Sequence, residues 1–367
     1  MFKSRDKRVF DIHRTLPQPK SKSRLDSPGL KDFEKPKKSR LKRFLVSFWL
    51  LVLALLIFIG VWDALNISRA SQKMFGSSNL FSLISADSLK SQNGRTNILL
   101  VGYSIDDPGH PGATLTDSIM LLSLSSKSHA GYMLSIPRDL YVKIPGFGYG
   151  KINEAYQDSG MPLLRQIVAD SFQIPIDYSV LVNYAAVRDT VNALGGITIN
   201  IASPDPRGLY DTNISPVDDG PLRLFNGPQA LDGQTALNLT RARGDAYGSY
   251  GFPQADFDRT QHQRQVLTAI KDKVSWTLVL NPLKNGKLFS AAGTNIKTDL
   301  TLGEARPLFG LFNSVNSANL QSLSLRSLNG KNLLSSYGTP SGQSALIPAA
   351  GLSDYSRIQE SIRLLNQ

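Results

Sequence analysis

The sequence predicts an α/β or α+β domain on a central sheet, preceded by one membrane-spanning helix. Three observations carry this. A 19-residue stretch from Phe44 to Trp62 holds no charged residue. The residues before it are strongly basic. From Thr96 onward, short apolar runs of strand character alternate with segments of helical period.

The net charge of +12 is unevenly placed. Residues 1–43 hold 15 Lys/Arg against 5 Asp/Glu, whereas the remainder holds 26 against 24. This tail is rich in Lys, Ser and Pro without an apolar period, the composition of a disordered segment. A basic tail can bind nucleic acid, bind anionic lipid or fix a membrane orientation. The tail lacks aromatic residues interleaved for base stacking, so no nucleic-acid partner is expected.

As a helix, Phe44–Trp62 is about 28 Å long, close to the bilayer core. Lys42 and Arg43 abut its start and Asp63 its end, while Trp49 and Trp62 suit the interfaces. The positive-inside bias places the N-terminus in the cytoplasm and everything after residue 63 outside. A buried core helix and a cleaved signal peptide are the rival readings. The apolar run is too long and too uniform for the first. The basic leader is too long for the second, and no clean A-x-A site follows. The expected organisation is a cytoplasmic tail (1–43), a transmembrane helix (44–62), a Ser/Asn-rich stalk (63–93) and one extracytoplasmic domain (94–367). The chain has no cysteine, which excludes disulfides, thiolate-held metals and a thiol nucleophile.

Within the domain, Asn97–Gly102, Ser118–Leu124 and Tyr132–Ile136 read as buried strands, the third stopped by Pro137. Leu163, Leu164, Ile167 and Val168 give 161–172 a helical period. Tyr178–Asn183 reads as a strand leading to a helix over 185–194, which Gly195-Gly196 closes, and 196–201 alternates as a strand. Asp232 caps a short helix before Arg241. A longer helix spans 257–274, with Gln263, Leu267, Ile270 and Val274 on one stripe. Further elements fall near 303–315 and 322–327.

Four segments could carry chemistry. Asp117 follows a Gly/Pro/Asp loop at a strand start, where it could equally cap the strand. Arg138 and Asp139 sit where the chain leaves the third strand. A guanidinium there matches phosphate oxygens in a fork, and a local Arg138–Asp139 surface pair is the plainer alternative. If 239–245 is extended, Arg241 and Arg243 share a side and need an anion or a carboxylate such as Asp245 between them. Arg259 and Gln263 head the stripe of the long helix, whose N-terminus favours a phosphate, although a capped surface helix would look similar. Four arginines with interspersed carboxylates suggest a polyphosphate site, with metal assistance possible through Asp oxygens. There is no G-x-S-x-G elbow and no Walker A loop. The four histidines lack metal-ligand spacing, and His262 reads as a helix-surface residue.

The ordered set Asn97-Ile-Leu-Leu-Val-Gly, Thr116-Asp-Ser-Ile-Met, Ser135-Ile-Pro-Arg-Asp, Lys151-Ile-Asn-Glu-Ala-Tyr, Val182-Asn-Tyr, Arg241-Ala-Arg and Asp256-Phe-Asp-Arg-Thr resembles the LytR-CpsA-Psr family. The resemblance covers about 97–275. It implies an α/β domain with a central mixed sheet flanked by helices and a hydrophobic groove for a polyprenyl chain. It also implies a Mg²⁺-dependent phosphotransferase that moves an anionic glycopolymer from a polyprenyl-pyrophosphate carrier to peptidoglycan. Carried over by position, Arg138, Arg241, Arg243 and Arg259 bind the pyrophosphate with help from Gln263, and Asp117 holds Mg²⁺. Asp256 orients the arginines or helps activate the acceptor hydroxyl.

Ser104 and Leu115 stand where the family usually has Asp and often has Arg, and His262-Gln263 replaces an Arg-Gln pair. Asp106 (or Asp107) would then supply the second metal ligand after a loop shift. Two other functions compete: a non-catalytic polyprenyl-pyrophosphate binding protein, motivated by Ser104 and Leu115, and a transcriptional attenuator. Placement of most of the chain outside the cell opposes the latter.

Overall fold

The computed structural model describes residues 87–104, 114–214, 221–274, 295–328 and 330–367, with 65, 68, 69, 71–73 and 293 besides. The tail, the expected anchor at 44–62 and Asp106 lie outside the described residues. No helix among the described residues is long and apolar enough to cross a membrane.

In chain order the first strands are β1 (Arg95–Tyr103), β2 (Thr116–Ser125), β3 (Gly131–Ile136), β4 (Tyr141–Ile144) and β5 (Gly148–Lys151). Helix α1 (Ala155–Phe172), β6 (Tyr178–Val182), α2 (Tyr184–Ala193) and β7 (Ile197–Ile201) follow. Next come β8 (Leu209–Asp211), β9 (Leu222–Leu224), β10 (Gly227–Leu231), α3 (Gly233–Arg241) and α4 (Asp256–Lys273). The chain then forms β11 (Ile296–Thr298), α5 (Leu302–Ser314), β12 (Leu320–Ser324), β13 (Leu334–Gly338), β14 (Ser344–Pro348) and α6 (Ser356–Leu365).

Six strands form one sheet in the order β11-β6-β1-β2-β3-β12. The β1–β6 and β3–β12 pairs are parallel and the others antiparallel, so the sheet is mixed. Its central strands are covered on both faces, which is why their sequences read as continuous apolar runs. Leu99, Val101, Ile119, Leu121 and Leu134 face α1 and α6, meeting Leu164, Ile167, Val168, Ile358 and Ile362. Ile98, Leu100, Met120, Leu122 and Met133 face the other way, towards Leu267 of α4 and Leu308 and Phe312 of α5. A separate apolar cluster joins β7, β10, α3 and α4 through Ile197, Ile199, Leu231, Leu239 and Val266.

Local signals explain the element ends. Asn183 caps α2 by accepting from Ala186 N at 3.0 Å, and Asp232 caps α3 by accepting from Thr235 N at 2.8 Å. Gly195 and Gly196 close α2 with positive φ, as expected. The helix expected from 161 begins earlier, at Ala155, across a kink at Ser159 and Gly160. Pro162 sits just beyond the break, in the first turn of the straight segment, where its missing N–H costs no helical bond. The hairpins β4–β5, β8–β9 and β13–β14 have no counterpart in the sequence reading. Their strands run only three to five residues, too short for an alternation to stand out in the sequence.

One expectation is overturned. His262 does not lie on the helix surface; it is buried, packed edge-on against Phe252 with ring centroids 5.6 Å apart. Burial, with the nearby charge of Arg264, pulls its pKa down to about 4. Above pH 6.5 both folded and unfolded states hold it neutral and it adds nothing. Below that value the unfolded chain takes up the proton first, so stability falls with falling pH until about pH 4. Urea unfolding at pH 7 and pH 5 should show the wild type losing about 2 kcal/mol more than His262→Gln over that interval. Equal losses would mean that the imidazole is not held neutral.

Candidate functional site

A cavity of about 530 Å³ lies between the β1–β2–β6 face and the helices α2 and α4. Its walls are apolar: Leu100, Met120, Val180, Val187, Leu267 and Ile270. Its polar residues include Asp117, Tyr184, Arg241, Arg243, Arg259 and Gln263. Helix α4 supplies both kinds, because Arg259 and Gln263 precede Leu267 and Ile270 on one stripe.

Asp117, at the start of β2, is the centre of the polar group. Its Oδ1 accepts from Arg138 Nη1 at 2.6 Å and its Oδ2 from the Tyr184 hydroxyl at 3.2 Å. Its backbone carbonyl accepts from Arg259 Nη2 at 3.0 Å. Arg138 leaves β3 after Pro137 and joins the site through Asp117; its approach to Asp139 is longer, at 3.9 Å. The local surface pair is therefore the lesser interaction.

Asp256, the first residue of α4, contacts two arginines through one oxygen: Arg259 Nη2 at 2.7 Å and Arg243 Nε at 3.5 Å. Gln263 accepts from Ser118 Oγ at 2.8 Å and donates to the Thr240 carbonyl at 3.1 Å, which ties α4 to β2 and to the end of α3. The Arg241 guanidinium lies 4.6 Å from the centroid of the Tyr184 ring. Arg241 and Arg243 do not share a side by lying on an extended strand. Arg241 ends α3, Ala242 turns the chain into extended geometry, and Arg243 follows. The helix end and the turn bring both to the cavity.

The sequence reading gave no role to two residues that hold this arrangement, one of which, Tyr184, it met only as part of Val182-Asn-Tyr. Asp211, 1% exposed, accepts from the backbone N–H groups of Arg243 and Gly244, each at 2.8 Å. Tyr184 bridges Asp117 and Arg241. Asp211 lies in a short hairpin with no motif around it. Tyr184 follows a helix cap, where an aromatic residue reads as packing.

The electrostatics favour an anion. Arg259 is 3% exposed, and burial followed by the charges of Arg243 and Arg138 draws its pKa down to about 10, against the opposing pull of Asp256. It stays protonated at neutral pH as a buried cation among cations. The Nε atoms of Arg138 and Arg259 are buried without an acceptor. Burial and the Asp117 charge push the Tyr184 phenol up to about 12, so it remains a donor. Among the described residues, no three His, Asp or Glu groups are close enough to hold a metal by themselves. Both Asp117 carboxylate oxygens are engaged, one by Arg138 and one by Tyr184, so Mg²⁺ at this carboxylate would have to share it with them and take its other ligands from substrate phosphates.

Of the sequence-derived candidates, Asp117, Arg241, Arg243, Arg259 and Gln263 line the cavity, and Arg138 and Asp256 join them through Asp117 and through Arg243 and Arg259. Removing a positioning group should disturb it without removing a cation. Asp211→Ala is expected to cost about 1–3 kcal/mol of stability, since it removes the acceptor of two part-buried N–H groups. It should also weaken inorganic pyrophosphate binding by calorimetry, whereas Asp205→Ala, on an exposed loop, should leave binding unchanged.

The sequence profile of the LytR_cpsA_psr family matches residues 64–345. The chain is 34% identical over 227 residues to the polyisoprenyl-teichoic acid–peptidoglycan teichoic acid transferase TagT of Bacillus subtilis (strain 168), covering 60% of this chain and 65% of that protein. It is 29% identical over 279 residues to the transferase TagU of Enterococcus faecalis (strain ATCC 700802 / V583), covering 73% and 82%. Among solved structures, TagT bound to LI-WTA superposes with a TM-score of 0.56 at 28% identity, over 76% of this chain and 94% of that one. The same protein with bound octaprenyl pyrophosphate lipid gives 0.54 at 27% identity, over 76% and 92%. The ordered motifs, the mixed sheet and the arginine-lined cavity have one common explanation: this chain belongs to the LytR-CpsA-Psr family.

Proposed function

We propose that the protein is a membrane-anchored phosphotransferase that attaches a polyprenyl-pyrophosphate-linked anionic glycopolymer to peptidoglycan. The observation that carries this is the cavity itself, an apolar slot ending in arginines. A polyprenyl chain matches the slot, and a pyrophosphate matches the guanidinium groups. The names of the TagT and TagU relatives and the octaprenyl pyrophosphate bound in a neighbouring structure support the same substrate class.

In this reading Arg241, Arg243 and Arg259 hold the pyrophosphate above the slot. Arg138, joined to Asp117, adds a fourth guanidinium to the pyrophosphate site. The acceptor hydroxyl attacks the glycan-bearing phosphorus and gives up its proton to solvent, a new O–P bond forms as the P–O–P bridge breaks, and polyprenyl phosphate leaves. The chemistry needs positioning and charge stabilisation rather than a protein nucleophile. Asp256 acts by orienting Arg243 and Arg259, since one oxygen contacts both. Mg²⁺, held by Asp117 with the phosphate oxygens, would neutralise charge building on the leaving phosphate. Asp106 is the further ligand expected on the preceding loop.

The membrane anchor belongs to the same proposal: residues 44–62 span the bilayer, 1–43 stay in the cytoplasm and 94–367 lie outside. A lipid-linked donor and a wall acceptor both require the site on that side.

Three outcomes test the proposal. With purified protein and a lipid-linked glycan donor, Mg²⁺ should be required for release of polyprenyl phosphate. Arg241→Ala should lower kcat/KM by about 10²–10³. Full activity in an Arg138→Ala, Arg241→Ala double variant would remove the site assignment, and tight lipid binding without turnover would select the non-catalytic reading. For topology, the chain has no native cysteine. Ser335→Cys should therefore label with an impermeant maleimide in intact cells and Ser4→Cys should not; the reverse would refute the orientation.

A further inference from the structure

The β4–β5 hairpin begins three residues after Arg138 and has two unlike faces. Val142 and Ile144 point into the core shared with Leu99, Val101 and Ile119. The register pairs Tyr141 with Lys151 and Lys143 with Tyr149, so these four side chains share the opposite face. Tyr141 stacks on Tyr149 with centroids 5.8 Å apart and planes 24° from parallel. Tyr337 of β13 extends the row, 5.5 Å from Tyr141. At the root of this ridge, Lys151 Nζ pairs with Asp139 at 3.0 Å, beside Arg138. Tyr149 is 46% exposed, and Phe147 at the turn is 57% exposed.

The position of the ridge relative to the cavity gives it a role. The apolar slot lies on the sheet face that carries Leu100, Met120 and Val180. The hairpin packs against the other face. An in-line displacement brings the attacking oxygen from the side opposite the leaving group. With the lipid phosphate leaving into the slot, the acceptor must approach across the surface beyond Arg138. A polymer delivering one hydroxyl there has to rest on what adjoins it. Tyr149, at the end of the row, offers a flat apolar ring with a polar tip, suited to the CH face of a sugar, and the exposed Lys143 beside it suits a carboxylate. Tyr141 is held between its neighbours, and Lys151 is paired with Asp139.

We propose that the Tyr141–Tyr149–Tyr337 row, with Lys143, is the docking surface for the acceptor, a saccharide chain bearing carboxylates. The identity of the acceptor rests on the transferase reading above; the docking surface is tested separately from it.

The test uses the full chain in phosphatidylcholine nanodiscs and purified peptidoglycan sacculi stripped of attached polymers. Tyr149→Ala with Lys143→Gln should weaken co-sedimentation with sacculi roughly tenfold, equivalent to about 1.4 kcal/mol. Polyprenyl-pyrophosphate binding should be unchanged in that variant. Equal sedimentation of wild type and variant would overturn the proposal, as would a wild type that does not bind sacculi. Binding instead to phosphatidylglycerol vesicles, lost in the same variant, would assign the surface to a membrane and overturn it too. Ridge-dependent sacculus binding by a protein that takes up no polyprenyl pyrophosphate would support the ridge and refute the donor reading instead.

Discussion

Two carboxylates hold the site together against the repulsion of its own cations. At an effective dielectric of 20, two unit charges 4 Å apart repel by about 4 kcal/mol. Asp117 and Asp256 offset this by standing between guanidinium groups. Asp117 takes Arg138 on one oxygen and Tyr184 on the other, and its carbonyl takes Arg259. Asp256 takes Arg259 and Arg243 together. Four guanidinium groups stay within reach of these two carboxylates, with Asp211 and Asp245 also lining the cavity, and the Nε–H groups of Arg138 and Arg259 are buried without a hydrogen-bond acceptor. An incoming pyrophosphate would complete a network that the protein alone leaves partly unsatisfied.

The rest of the fold keeps this network in register. The β1–β2 ladder places Asp117 at a strand start, and Pro137 ends β3 so that Arg138 reaches it. Asp211 pins the turn that carries Arg243. Gln263 links α4 to both β2 and the end of α3. The same helix then runs down the apolar wall, so one rigid element sets the distance between the charged mouth and the greasy slot. A lipid-linked pyrophosphate has that two-part character, which is why the cavity points to its chemistry.

The sheet also separates two directions of approach. Side chains alternate across it with period two, so Leu100 and Met120 line the slot while Leu99 and Ile119 support the layer beneath the β4–β5 hairpin. The apolar cavity and the β4–β5 hairpin therefore lie on opposite faces of the sheet. This follows from strand geometry and does not depend on any single side chain.

Much of this was legible in the residues. Continuous apolar runs at 97–102, 118–124 and 132–136 could only be strands covered on both faces, and Asn183, Asp232 and the Gly195-Gly196 pair marked helix ends by local stereochemistry. Arg259 and Gln263 above Leu267 and Ile270 already described a polar-to-apolar stripe, because helical spacing is a property of sequence. The 19 uncharged residues at 44–62 set the anchor expectation in the same local way. What sequence could not decide depends on contacts between distant segments. Arg241 and Arg243 reach the mouth through a helix end and a turn rather than along a strand. Tyr184 became a bridge only when α2 met β2. Asp211 became a clamp only when β8 met the loop after α3. His262, polar on a polar helix, was buried because Phe252 folds over it. Local spacing fixes which side chains share a face of one element; which faces meet, and therefore which charges must be neutralised together, is decided only when the whole sheet and its helices close.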